Sequence, residues 1–348
     1  MSLNRSDKIL KYIVEYFIKT AQPVGSKTLI DEFNLPYSSA TIRNEMFALE
    51  KMGMIEKTHT SSGRVPSAQG YKYYCETLRE RNVDEEIKYC IQQVLQERNK
   101  SIEEIIKASC EIISHMTSLV SVVLGPDENI EKLANVQLIR VNDNTLTAIF
   151  VTDSGYVENK TFICPNNITG DEVVTCVRLL NERLKGTPVG SLVEKMESLR
   201  PIFSEQIVNH DIVYQALLQT LLRFASDRLS FYGREELFTH PEFKNDINKL
   251  QKVFELLGDT SIFKNVEREM SGKDQSLILK IGELEDNPDV SVVSAKIKIG
   301  EENSGTIALV GPTRMDYQKA LNALEYLAEM LQERFDDKKG EPEDEWRN

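Results

Sequence analysis

Residues that build redox, metal and nucleophilic centres are scarce in this chain. Its five cysteines (Cys75, Cys90, Cys110, Cys164 and Cys176) stand 15, 20, 54 and 12 residues apart, and its four histidines (His59, His115, His210 and His240) are scattered. An odd cysteine count without a CxxC pair or a Cys/His cluster argues against a disulfide framework and against structural zinc. The cysteines read instead as small apolar core residues of a reducing compartment. Long hydrophobic runs are missing too. The longest uncharged stretch, Ile112–Pro126, carries Ser114, His115, Ser118 and Ser121 and is too short to span a bilayer. Arg5, Asp7, Lys8 and Lys11 interrupt the N-terminal segment where a secretory leader needs an apolar region. A cytoplasmic protein that does not engage membranes is expected. No GxGxxG, GxSxG, HExxH or EF-hand pattern occurs, and in Gly25-Ser26-Lys27-Thr28 a serine separates the glycine from the lysine of a would-be phosphate loop. An enzyme is therefore not expected, and neither is a cofactor or metal.

Charge is what the chain has, and it is unevenly placed. The net charge is −13, yet residues 1–81 hold twelve Lys/Arg against nine Asp/Glu, so the rest carries −16. A mildly basic N-terminal module on an acidic body can still meet nucleic acid, because distribution decides this more than the total. The 348 residues suggest two or three domains.

Local signals order the N-terminal module. Residues 4–20 predict a helix capped by Ser6, with Ile9, Ile13, Tyr16 and Phe17 on one face. Pro23-Val24-Gly25 breaks it, Ser26 caps a short second helix, and Asn34-Leu35-Pro36 turns the chain again. A third helix, capped by Ser38 or Ser39, runs to about Met52, where Gly53 ends it. Met54–Thr58 and Arg64–Val65 predict a hairpin with a Ser-Ser-Gly tip. Three helices and a hairpin make the order of a winged helix-turn-helix. Beyond Pro66, Ser67 caps a helix bearing Tyr71, Tyr74 and Leu78, and helical segments run to about Ile113. Strands are expected at 119–124, 136–141, 146–152 and 156–163, and again at 276–281, 290–299 and 306–310. Helices are expected at 171–184, 205–229, 242–257 and 316–335. The fold class is thus α+β and multidomain. Strands on both sides of a helical block suggest one α+β domain with an insertion. The apolar stripe Leu217, Leu218, Leu221, Leu222, Ala225 and Leu229 is wider than a surface helix carries, so it either fills an inserted core or meets the same helix in a second subunit. An acidic, disordered tail is expected over 339–348.

The third helix is the strongest candidate for function. With Ile42, Met46 and Leu49 turned inward, Ser38, Ser39, Thr41, Arg43 and Asn44 gather at its start. A recognition helix presents its N-terminal residues to base edges in the major groove. Arginine suits guanine, asparagine suits adenine, and short hydroxyls suit phosphates and helix positioning. The alternative is that Arg43 pairs with Glu45 or Glu50. His59, Thr60, Ser61, Ser62, Gly63 and Arg64 form the expected wing along the backbone or minor groove. Lys27 and Thr28 are candidate phosphate contacts.

Val24-Gly25-Ser26, Ser39–Met46 (SATIRNEM), His59–Pro66 (HTSSGRVP), Gly70-Tyr71 and Gly311–Tyr317 (GPTRMDY) together resemble the HrcA family of heat-inducible transcription repressors over nearly the whole chain. The resemblance implies a winged helix over 1–80, a GAF-like domain over 81–186 and 241–338, and a dimerising domain inserted at 187–240. It also implies binding of the CIRCE inverted-repeat operator in double-stranded DNA as a homodimer, and dependence on the GroEL chaperonin. The Gly311–Tyr317 segment reads as a strand-to-helix turn capped by Asp316, without a derivable role. Two other readings stand beside it: a metabolite-responsive repressor with a pocket in the GAF-like domain, where the sequence shows no convergent polar cluster, and a protein-binding scaffold.

Overall fold

The structure is a computed structural model that describes residues 3–57, 63–97, 99–125, 131–153, 155–163, 169–206, 210–226, 229–244, 246–259, 261–263, 265–266, 269, 276–284, 287–299 and 303–336. The fold is mixed α/β and divides into two compact units. One comprises 1–123, 230–297 and 306–348, the other 124–229 and 298–305. The expected acidic tail lies outside the described residues.

The first unit opens with α1 (Arg5–Thr20), α2 (Ser26–Phe33), α3 (Ser39–Lys51) and the antiparallel pair β1 (Ile55–Lys57) and β2 (Arg64–Pro66). Asn4, not Ser6, caps α1 by accepting from the Asp7 amide, while the Ser6 hydroxyl donates to Glu45 at 2.6 Å. Ile9, Ile13, Val14, Leu29, Ile42, Met46 and Leu49 are each 5% exposed or less and form the small core of the three helices. Val24 bonds Arg64 in both directions at 2.9 Å, which extends the hairpin by one bridge.

Ser67 caps α4 (Ala68–Tyr73) and donates to the Gly53 carbonyl at 2.5 Å. This brings Gly70 so close to Met54 that a Cβ would stand 1.9 Å from its carbonyl oxygen, so only glycine fits. The helix continues through a π turn to Leu78 and is followed by α5 (Glu85–Gln96) and α6 (Ile102–Thr117).

A five-stranded sheet completes this unit. It contains β3 (Val120–Leu124), and later in the chain β7 (Leu229–Tyr232), β8 (Leu277–Ile281), β9 (Val290–Ile299) and β10 (Asn303–Pro312), in the order β7-β3-β10-β9-β8. Helices α11 (Pro241–Lys244), α12 (Ile247–Gly258) and α13 (Tyr317–Asp336) belong with it. Tyr317 and Ala320, Leu321, Leu324, Leu327 and Leu331 of α13 are buried.

The second unit holds an antiparallel sheet of β4 (Leu133–Asn142), β5 (Thr145–Thr152) and β6 (Val157–Ile163), with α7 (Gly170–Leu184), α8 (Leu192–Ser198), α9 (Arg200–Gln206) and α10 (His210–Ser226). One core joins them: Val136, Leu138, Ala148 and Phe150 from the sheet meet Leu180, Leu184, Leu192, Met196, Phe203, Leu217 and Leu221. The expected insert boundaries of 187 and 240 are therefore corrected. The unit containing the apolar helix starts at Leu124, because the 133–163 strands need those helices to cover their inner face. It ends at Leu229, because 230–240 belongs with the larger sheet. The expected helix 205–229 is also corrected at its end, because Leu229 lies in a strand; residues 207–209 and 227–228 lie outside the described residues.

Candidate nucleic-acid interface

Each feature at the start of α3 is set by a local contact. The Ser38 hydroxyl accepts the Thr41 amide at 3.1 Å and shares a hydrogen bond with the Thr41 hydroxyl at 2.8 Å, closing the first turn. Ser39 shares a 2.9 Å hydrogen bond with Ser26, at the first residue of α2. The two helix starts are thereby fastened side by side. Gly25, the residue capping α2, has no side chain to satisfy the first amides, so α2 presents open N–H groups beside the exposed Lys27 and Thr28.

The outer stripe of α3 follows from the inner one. Because Ile42, Met46 and Leu49 are buried, Ala40, Arg43, Asn44, Phe47 and Lys51 are exposed, at spacings of three and four residues. Neighbouring carboxylates are occupied elsewhere. Glu45 takes the Ser6 hydroxyl and lies 3.7 Å from Arg5, while Glu50 takes Arg64 at 2.7 and 3.0 Å and Lys57 at 3.2 Å. Among the described residues no ion pair or hydrogen bond holds Arg43 or Asn44. The ion pair weighed as the alternative for Arg43 is thus made by other cations.

Two of the expected contact residues are set against the module itself. Arg64 is not a free cation at the wing exit: its guanidinium lies against Glu50 with the side chain 13% exposed. Gly63 is buried. His59, Thr60, Ser61 and Ser62 lie outside the described residues. Partial burial pushes the Glu50 carboxyl up, but hydrogen bonds and charge from Arg64 and Lys57 outweigh this and hold it below its usual range.

The dimerisation stripe is divided. Leu217 and Leu221 are fully buried in their own core, Leu218 packs partly against it, and Leu222 is 47% exposed. The side chain of Ala225 lies outside the described residues. Exposed apolar side chains on this unit include Ile139, Val157 and Ile163 on the outer face of the sheet, at 47%, 46% and 74%, and Val174 of α7 at 67%.

Sequence reasoning missed three features. Phe47, although 52% exposed, shares the stripe of Arg43, and only its four-residue offset from Arg43 pointed to this. The Gly311–Tyr317 segment, whose expected Asp316 cap forms through the Lys319 amide, also joins sheet, helix and N-terminal module: Arg314 donates to Glu242 at 2.7 Å and to the Ile18 carbonyl of α1. Finally, Lys252, Glu255, Asp259, Glu269, Lys280 and Glu283 line one cavity of about 660 Å³, a polar convergence that residues so dispersed in sequence do not reveal.

Comparison with known proteins adds ancestry to this geometry. A family model described as HrcA protein C terminal domain matches residues 103–321. The heat-inducible transcription repressor HrcA of Halalkalibacterium halodurans is 34% identical over 333 residues, covering 95% of this chain and 97% of that protein. Its counterpart from Shouchella clausii is 34% identical over 340 residues, covering 96% and 98%. A crystal structure of a hypothetical protein aligns with a TM-score of 0.62 at 22% identity, over 96% of this chain and 99% of that one, which shows a shared fold.

Proposed function

The chain belongs to the HrcA family of heat-inducible transcription repressors, and from that premise we propose that it represses chaperone operons by binding the CIRCE inverted repeat as a homodimer. The N-terminal helices and hairpin act as a winged helix-turn-helix. Arg43 and Asn44 read base edges, Lys27, Thr28 and the open amides of α2 hold phosphate, and Ser38, Ser39 and Thr41 set the pitch of the helix. The observation that carries this reading is the uncommitted Arg43–Asn44 stripe beside two carboxylates that already have partners. The segment His59–Ser62 supplies the wing, with Arg64 acting as its internal brace to Glu50. The GAF-like domain is the larger sheet with α5, α6 and α11 to α13.

An inverted repeat offers two equal half-sites, and one alone supplies too little specificity. A second copy is thus required. Its surface is the outer face of β4 to β6, because Leu217 and Leu221 are already occupied at home. GroEL dependence follows if the active repressor is marginally stable and needs the chaperonin to remain folded.

Anisotropy titration of the CIRCE repeat and a scrambled copy, across a salt series and with and without chaperonin, tests the reading. Tight binding to the repeat alone, strengthened by chaperonin, is expected. No preference in either condition refutes it. The metabolite-responsive reading is favoured by one observation, the cavity beside Lys252 and Lys280. It requires a small molecule that raises the melting temperature in a concentration-dependent way.

A further inference from the structure

Phe47 is out of place by its chemistry. It is a large aromatic, 52% exposed, on a stripe whose other members are Ala40, Arg43, Asn44 and Lys51. It lies one helical turn, about 6 Å, beyond Arg43 and on the same side of α3. The ring is also held. The Lys51 ammonium sits over it, 4.7 Å from the centroid, a cation–π contact on a ring that remains about half exposed. Lys51 is thereby kept at the same surface, where a cation can meet a backbone phosphate.

A helix that lies in the major groove brings such a stripe against base edges. The one apolar group presented there is the C5-methyl of thymine, and aromatic side chains are among its partners. We propose that Phe47 is a specificity-determining residue that packs its exposed ring on a thymine methyl, reading a base pair beyond those addressed by Arg43 and Asn44. The inference rests on the DNA-reading assignment of α3. It adds a contact that hydrogen-bonding residues cannot make, because thymine and deoxyuridine present identical donors and acceptors and differ only in the methyl.

That difference is also the test. Each thymine of the CIRCE half-site is replaced in turn by deoxyuridine, symmetrically in both half-sites, and binding of the full-length chain is measured by anisotropy. Wild type should lose about fourfold per methyl at one thymine position, the effect of exposing one methylene-sized group. Phe47→Ala should bind the unmodified repeat more weakly and show no further loss at that position, whereas Phe47→Leu should retain part of the thymine preference. Because Phe47 is exposed, both variants should melt with the wild type. Specific binding with the same deoxyuridine profile in wild type and Phe47→Ala would overturn the role of Phe47 and leave the operator reading intact. Equal binding to the repeat and to scrambled DNA would overturn the operator reading, and this inference with it.

Discussion

Arg43 and Arg64 carry the same guanidinium in opposite circumstances, and this difference decides what each does. Arg43 is exposed and uncommitted, whereas Arg64 is bound to Glu50 through two nitrogens. Arg43→Ala should therefore cost about 1–3 kcal/mol of discrimination at a single base pair while leaving the melting temperature unchanged, as read by anisotropy against single-pair operator variants. Arg64→Ala should do the reverse, lowering the melting temperature while base preference survives. The sequence made both arginines candidates because residue type and position near a turn are local facts. Which one meets a carboxylate depends on a side chain fourteen residues away. The same pair predicts a pH dependence. Glu50 has a folded value below the ordinary 4.5, so its contribution is complete above that value and is lost as the pH falls through the folded one. The melting-temperature gap between wild type and Glu50→Gln should be constant above about pH 5 and close on further acidification.

Several helix ends and strand runs were legible because their signals lie within a few residues: Ser67 caps α4 and Ser38 caps α3 as the sequence suggests, although Asn4 takes the place of Ser6 at α1. Pairing between elements was not legible. Strand β3 lies beside β10, far along the chain, while the strands that directly follow β3 join a different sheet. Four β-prone runs in succession give no hint that the domain boundary falls after the first. Gly70 shows how tightly the joined elements fit. A methyl at this position would overlap the Met54 carbonyl, so Gly70→Ala should destabilise the protein by about 1–3 kcal/mol in a denaturant titration. On α10 two adjacent leucines should separate core from surface. Leu221→Ala leaves a cavity and should cost about 2–5 kcal/mol at any protein concentration. Leu222→Ala should change the stability of the subunit by no more than about 0.5 kcal/mol. A similar loss for both in urea melts would show that Leu222 is buried as well.

Across the first unit, residues from opposite ends of the chain form one polar junction. The Arg79 guanidinium, its side chain 3% exposed, bonds the Cys75 carbonyl, Asn322 and Glu325, and the Asn322 amide donates to the carbonyls of Glu80 and Asn82 at 2.8 and 2.7 Å. Tyr71 packs against Tyr317 with ring centroids 5.1 Å apart, and Arg314 reaches the α1 carbonyl of Ile18. The helical segment 68–79 is therefore fixed to α13 by groups that are costly to leave unpaired, and α1 is held to the turn before α13. None of this was legible in the sequence: GPTRMDY stands out as a motif, but its partners lie from 25 to 296 residues away. Asn322→Leu removes the acceptor of a buried guanidinium and the donor of two carbonyls, so it should cost at least about 1–3 kcal/mol. Arg79→Met should cost less than a severed ion pair implies, since it removes the charge together with its need for a partner. The double variant Arg79→Met/Asn322→Leu should then be more stable than the sum of the single losses by about 0.5–3 kcal/mol. Such a coupling, measured by denaturant titration in a double-mutant cycle, would mean that the end of the 68–79 helical segment and α13 share one polar network in solution. Additivity would mean that each residue stabilises its own segment alone.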